Sequence, residues 1–189
     1  MKKIKFIFIV LILFVGLSHY SFAKNFKLGG SFNYYSVADD KIFKEVYEDG
    51  GLMFGVFLSY EPIKRFEIRG EANYFHAKGG MTFTKEEVTF TIIPIVIGLR
   101  IWTVEIQKFK PYLGSGLNLY SYKEELPDRF DDVSDSTIGF HFEGGTYLNL
   151  AKMFYLDFNI RYVFATTKSE HGNTELGGLR AGIGIGIQF

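Results

Sequence analysis

Residues 154–165 read Phe-Tyr-Leu-Asp-Phe-Asn-Ile-Arg-Tyr-Val-Phe-Ala. Phe154, Leu156, Phe158, Ile160, Tyr162 and Phe164 share one parity, and Tyr155, Asp157, Asn159 and Arg161 share the other. Successive side chains of a strand point to opposite faces, so this is a strand with one apolar and one polar face. A helix would scatter the same residues around its axis. The last residues, 177–189, repeat the pattern. Leu179, Ala181, Ile183, Ile185, Ile187 and Phe189 oppose Arg180, Gly182, Gly184, Gly186 and Gln188.

Working back along the chain, the same period of two predicts six more strands. Strand one, about 25–37, puts Phe26, Leu28, Phe32 and Tyr34 opposite Lys27, Gly29, Ser31 and Asn33. Strand two, about 51–61, alternates Leu52, Phe54, Val56, Leu58 and Tyr60 with Met53, Gly55, Phe57 and Ser59. Strand three, about 66–77, sets Phe66, Ile68, Gly70, Ala72 and Tyr74 against Glu67, Arg69, Glu71 and Asn73. Strand four, about 88–102, is nearly all apolar through Thr91–Ile97. Placing Ile93, Ile95, Ile97, Leu99 and Ile101 outward turns Gly98 and Arg100 inward. Pro94 cannot donate to a ladder, which predicts a bulge there. Strand five, about 110–122, opposes Leu113, Leu117 and Leu119 to Tyr112, Gly114, Gly116 and Asn118. Strand six, about 136–149, opposes Ile138, Phe140, Phe142 and Leu148 to Gly139, His141, Glu143 and Asn149.

The first 23 residues do not belong to this series. Lys2, Lys3 and Lys5 precede an apolar run from Phe6 to Leu17, and Ser21-Phe22-Ala23 is a small-x-small cleavage pattern. The run is shorter than the roughly 20 residues a spanning helix needs, so it reads as a signal peptide cut after Ala23. The expected domains are therefore 1–23, the leader, and 24–189, the barrel. Removing the leader leaves 18 basic and 21 acidic residues, a net of about −3. That balance predicts no nucleic-acid partner. The absence of Cys excludes disulfides, thiolate nucleophiles and Cys-held metals.

Connections after strands two, four and six are short. Those after one, three, five and seven, around 38–50, 78–87, 123–135 and 166–176, are long and polar. Short turns at one end and long loops at the other are the layout of bacterial outer-membrane barrels. Three features favour a membrane barrel over a soluble one with its apolar face inside. Gly crowds the polar parity, where it makes room for Arg and Tyr in a narrow interior. The apolar parity carries no charge. Aromatics gather at strand ends: Tyr60, Phe66, Trp102, Phe154 and Phe189 at the short-turn rim, and Tyr34, Tyr74, Tyr120 and Tyr162 at the other.

Two stretches carry a family resemblance. Phe109-Lys110-Pro111-Tyr112-Leu113-Gly114-Ser115-Gly116 is similar to a strand common in the small outer-membrane β-barrel superfamily of the OmpA transmembrane domain, OmpX and OmpW. The end, Gly182 to Phe189, resembles that group's C-terminal signature, here Ile185, Ile187 and Phe189. The resemblance implies recognition of these residues by the barrel-assembly machinery. It also implies a location in the bacterial outer membrane, among lipid and lipopolysaccharide.

The polar parity collects Glu67, Arg69, Glu71, Arg100, Glu143, Asp157, Arg161 and Arg180, with Lys27 near the short-turn mouth. Four carboxylates and four arginines in a narrow interior must pair, since a lone buried charge costs several kcal/mol. The expectation is a salt-bridged plug, not a conducting path. A lumen so charged also differs from the hydrophobic lumen opening of OmpW-type barrels.

No catalytic residue, metal site or cofactor is expected. His76 is followed by Ala77 and Lys78, so the His-x-Ser pair of a lipid A deacylase is missing. His141 faces inward. Ser169, Glu170 and His171 are consecutive loop residues that seldom converge as a triad. The acidic loop residues Asp39, Asp40, Glu124, Glu125, Asp128, Asp131, Asp132 and Asp135 match no defined Ca²⁺ loop. Gly114–Gly116 and Gly182–Gly186 lie inside strands and are not nucleotide-binding turns.

The fold expected is an all-β, eight-stranded antiparallel up-and-down transmembrane barrel. The function expected is non-enzymatic, in surface interaction and envelope integrity, with extracellular ligands meeting the long loops. A narrow porin-like channel for small solutes is the alternative, and a lipid A-modifying enzyme a more distant one.

Overall fold

A computed structural model describes residues 25–37, 50–80, 86–102, 104–125, 127, 133–169 and 172–189. The segment expected to be a leader, 1–23, most of the acidic loop residues and His171 lie outside these residues. The chain forms β1 (Phe26–Val37), β2 (Gly51–Ile63), β3 (Phe66–Gly80), β4 (Glu87–Trp102), β5 (Phe109–Glu125), β6 (Val133–Asn149) and β7 (Phe154–Phe164). A small hairpin, β8 (Thr166–Ser169) and β9 (Gly172–Glu175), precedes β10 (Gly178–Gln188). The eight long strands close in the order β1-β10-β7-β6-β5-β4-β3-β2, every pair antiparallel.

Closure is made by β1 and β10, paired from Lys27↔Gln188 to Val37↔Gly178. It leaves no strand edge, the condition for a sheet to stand in hydrocarbon. Burial then follows parity. Ile97, Leu113, Ile138, Ile160 and Ile185 are 61–72% exposed, whereas Glu67, Arg100 and Asp157 are fully buried. A water-soluble protein has the opposite distribution and rarely exposes a contiguous apolar patch beyond a few hundred Å². Ring pairs lie near both rims of the wall, Phe26 on Tyr60 at 4.8 Å and Phe140 on Phe164 at 4.7 Å between centroids. They are suited to the two membrane–water interfaces.

Three local expectations are corrected. Pro94 causes no bulge: β4 keeps one register against β3 and another against β5 along its length. A bulge would flip every following side chain to the other face and put Arg100 in lipid. The missing N–H is absorbed where the β3–β4 pairing skips from Ala72↔Ile95 to Phe75↔Ile92. The register shift lies instead between Tyr60 and Ile63, at the turn into β3. Trp102 and Tyr120 do not belong to the girdles. They are 1% and 2% exposed and point inward, on the parity of Arg100 and of Asn118. Finally, β3, β5 and β6 run past the apolar band into segments expected to be loop, and β8–β9 adds a hairpin. Ladder hydrogen bonds do not end where hydrophobicity ends.

The inward glycines make room for large neighbours. A Cβ at Gly145 would lie 2.5 Å from the Tyr112 hydroxyl, at Gly186 2.6 Å from that of Tyr155, and at Gly114 2.9 Å from Glu143 Oε1.

Ile160→Lys, in mid-strand on the lipid-facing wall, is expected to lower the unfolding free energy by about 2–4 kcal/mol. Urea titration in phospholipid vesicles measures it. A change within about 0.5 kcal/mol, the usual range for a solvated site, would contradict the lipid exposure of this face.

Candidate functional site

The interior has three tiers. Nearest the short turns, Phe57, Trp102, Tyr112, Tyr147 and Tyr155 form an aromatic cluster. The charged residues occupy the middle. Toward the long loops lies an apolar cluster that includes Tyr35, Met53, Phe75, Phe90, Ile92, Tyr120, Val163 and Leu176. Leu176, in the return from β9 to β10, is fully buried there, and its carbonyl accepts a hydrogen bond from the Tyr35 hydroxyl. This upper tier adds an apolar layer to the charged set that the sequence placed inside. The signal was present in β4, where Ile92 and Val96 are apolar on the inward parity too.

The middle tier comes from alternate positions of five strands: Glu67, Arg69 and Glu71 on β3, Arg100 on β4, Glu143 on β6, Asp157 and Arg161 on β7, and Arg180 on β10. All eight are 5% exposed or less, and they form one connected set. Glu71 is its hub. It accepts from Arg69 Nε at 2.6 Å, from Arg161 Nη1 at 3.0 Å and Nη2 at 2.9 Å, and from Arg180 Nη2 at 2.9 Å. Glu143 takes the fork of Arg100, Nε at 2.6 Å and Nη2 at 3.0 Å, and also Arg161 Nη2 at 2.7 Å. Asp157 accepts from Arg100 Nη1 at 2.9 Å and the Tyr112 hydroxyl at 2.6 Å, with Arg69 Nη2 at 3.3 Å.

Lys27 is the ninth member: its Nζ lies 2.5 Å from Glu67 Oε2, which makes five cations on four carboxylates. The aromatic tier is joined to this set. The Tyr147 hydroxyl donates to Glu67 Oε1 at 2.6 Å and accepts from Arg100 Nη1 at 2.7 Å. Arg69 lies 3.6 Å over the Phe57 ring, Arg100 4.3 Å over Tyr112, and Lys27 4.6 Å over Trp102. Such stacking helps hold cations whose water has been removed. The sequence reading missed Tyr147 as a bridge, although it shares the parity of Glu143.

The other candidates stay apart from this set. His141 is buried, and its Nδ1 lies 3.0 Å from Asn118 Nδ2. His76 is on the outer surface with Nδ1 3.1 Å from Thr91 Oγ1. Among the described residues no cluster of three or more His, Cys, Asp or Glu is arranged to hold a metal. Ile185 and Phe189 face outward, and the Phe189 N–H donates to the Phe26 carbonyl at 2.9 Å.

An eight-stranded closed barrel with its apolar face outward and an ion-paired interior defines an integral outer-membrane protein. The family model described as "outer membrane protein beta-barrel domain" matches residues 7–189, and the chain belongs to that family of the bacterial outer membrane. Among solved structures it is similar to OprG of Pseudomonas aeruginosa (16% identity, 88% of this chain and 96% of that one, TM-score 0.66). It also resembles neisserial surface protein A (16%, 87% and 96%, 0.62) and Ail, the attachment invasion locus protein of Yersinia pestis (14%, 87% and 97%, 0.53). At these identities the likeness is one of fold. No curated protein matches by sequence.

Arg100→Met leaves Glu143 and Asp157 short of their shared cation and is expected to cost about 3–5 kcal/mol. Arg180→Met removes the surplus cation, which pairs directly across the ladder with Arg161, and is expected to cost less. Urea midpoints of the two variants in the same vesicles compare them. Equal losses would show that charge balance does not govern this set.

Proposed function

We propose that the barrel is a non-enzymatic surface protein. In this reading its long loops meet lipopolysaccharide or extracellular ligands, and its body supports envelope integrity. The observation that carries it is the interlocked middle tier, in which Arg100 reaches from β4 to Glu143 on β6 and Arg161 from β7 to Glu71 on β3. Such a set crosses the bore instead of lining it, and opening it would strand charges in a low-dielectric interior. With the bore occupied, the loops are the part left to interact. Fold neighbours named for the cell surface and for attachment are compatible with this, as is an outer rim where His76 faces a Thr and not a Ser–carboxylate pair. Ile185, Ile187 and Phe189 serve biogenesis, presented to the assembly machinery before the β1–β10 seam closes.

The alternative, a narrow channel for small solutes, is separated by one experiment. The mature protein, refolded and checked by heat-modifiable gel migration, is expected to leave a planar bilayer electrically silent. Steady openings that change in Arg100→Ala or Glu143→Ala would replace the plug with a gated path. If the bilayer stays silent, shortening the loops at 38–50 and 123–135 is expected to abolish binding to cells or lipopolysaccharide while heat-modifiability is retained.

A further inference from the structure

The lipid-facing wall has a gap. Between Leu28 and Phe32 the outward position of β1 is Gly30, flanked across the ladders by Ile185 on β10 and Val56 on β2. With Leu28, Phe154 and Ile187 these residues line a notch of about 380 Å³, within the range of small-ligand clefts. Packing does not require glycine here. A Cβ at Gly30 would find its nearest atom, the Gly55 carbonyl oxygen, at 3.6 Å, whereas at the inward neighbour Gly186 it would lie 2.6 Å from the Tyr155 ring. The missing side chain keeps the notch open.

At the short-turn mouth of the bore is a second concavity, about 310 Å³, lined by Phe26, Lys27, Glu61, Lys110, Lys152 and Gln188 among others. The two share no lining residue, but Leu28 of the notch is two residues from Phe26 and Phe154 of the notch two residues from Lys152, about 7 Å along a strand. Lys152 lies in the turn that leads into Phe154, and Gln188 Nε2 donates to its carbonyl at 3.1 Å. Lys27 is engaged with Glu67, and Lys110 is 3.4 Å from Glu105. Lys152 has no ion pair among the described residues. Charge is unevenly divided between the ends. The short turns carry Lys64, Arg65, Lys108, Lys110 and Lys152 against Glu61 and Glu105, while segments 38–50 and 123–135 have net charges of −3 and −4.

We propose that one anionic phospholipid of the periplasmic leaflet occupies this site, an acyl chain in the Gly30 notch and its phosphate on Lys152. An unfilled gap in a wall surrounded by hydrocarbon forfeits dispersion contacts, and a flexible chain fills it. A basic side chain at the interface then favours an acidic headgroup over a zwitterionic one. The site goes beyond the surface role proposed above and depends only on the short-turn end being periplasmic.

Native mass spectrometry of the refolded barrel, released from mixed phosphatidylglycerol and phosphatidylcholine micelles, tests it. One phosphatidylglycerol is expected to be retained in preference to phosphatidylcholine. Lys152→Gln should reduce that preference about fivefold, the effect of one basic residue facing an anionic surface. Gly30→Leu should abolish retention of both lipids, and Val56→Trp, narrowing the same notch, provides a second variant if the first fails the gel-shift test of folding. Leu117→Ala, on the distant β5 wall, should change nothing. Equal retention of the two lipids, or retention that survives both notch-filling variants, would overturn the proposal. Displacement by soluble glycerol phosphate would overturn it too, showing an anion site at the mouth in place of a lipid site.

Discussion

A backbone in hydrocarbon has no water to satisfy its N–H and C=O groups, so every strand must have a partner on both sides. That constraint makes the β1–β10 seam the contact on which the rest depends. It joins residues from opposite ends of the described barrel, Lys27 with Gln188 and Val37 with Gly178. Once the seam closes, parity alone divides the chain into a lipid-facing half and an enclosed half. With eight strands the enclosed half is just wide enough for side chains to fill.

The filling solves a second problem. Nine charged groups inside a barrel are unfavourable individually and acceptable only as a set in which each carboxylate meets more than one donor. Glu71 and Glu143 each serve two or more arginines, and Tyr112 and Tyr147 supply hydroxyls to Asp157 and Glu67. The guanidiniums rest on Phe57 and Tyr112, so the aromatic tier supports the ionic one. Glycine is part of the same solution, since a methyl group at Gly114 or Gly145 would press on Glu143 or Tyr112.

The outside follows simpler chemistry with a few exceptions. Branched and aromatic residues cover the wall, and rings collect near its two edges. The exceptions are outward glycines, Gly30 together with Gly70 and Gly144, where a side chain would fit and none is present; at Gly30 the gap opens a notch. Together with basic short turns and the acidic segments 38–50 and 123–135, this gives the barrel two unlike ends.

The alternation in Phe154–Phe164 and Leu179–Phe189, repeated along the chain, was enough to determine the strands and their facing, because a period of two is a local property of the chain; the glycines of the polar parity, the uncharged apolar parity and the aromatics at strand ends added the membrane setting. It placed Glu67, Arg69, Glu71, Arg100, Glu143, Asp157, Arg161 and Arg180 on the inner face. Trp102 was legible by the same parity and was misassigned because an aromatic at a strand end suggested a girdle. Partners were not legible. Glu71 meets Arg161 and Arg180, 90 and 109 positions away, and Tyr147 bridges Glu67 across 80. Which inward residues meet across the bore depends on how far the strands are staggered when the barrel closes, and no single strand encodes that stagger. The sequence by itself determined what is inside; only the tertiary structure decided what it touches there.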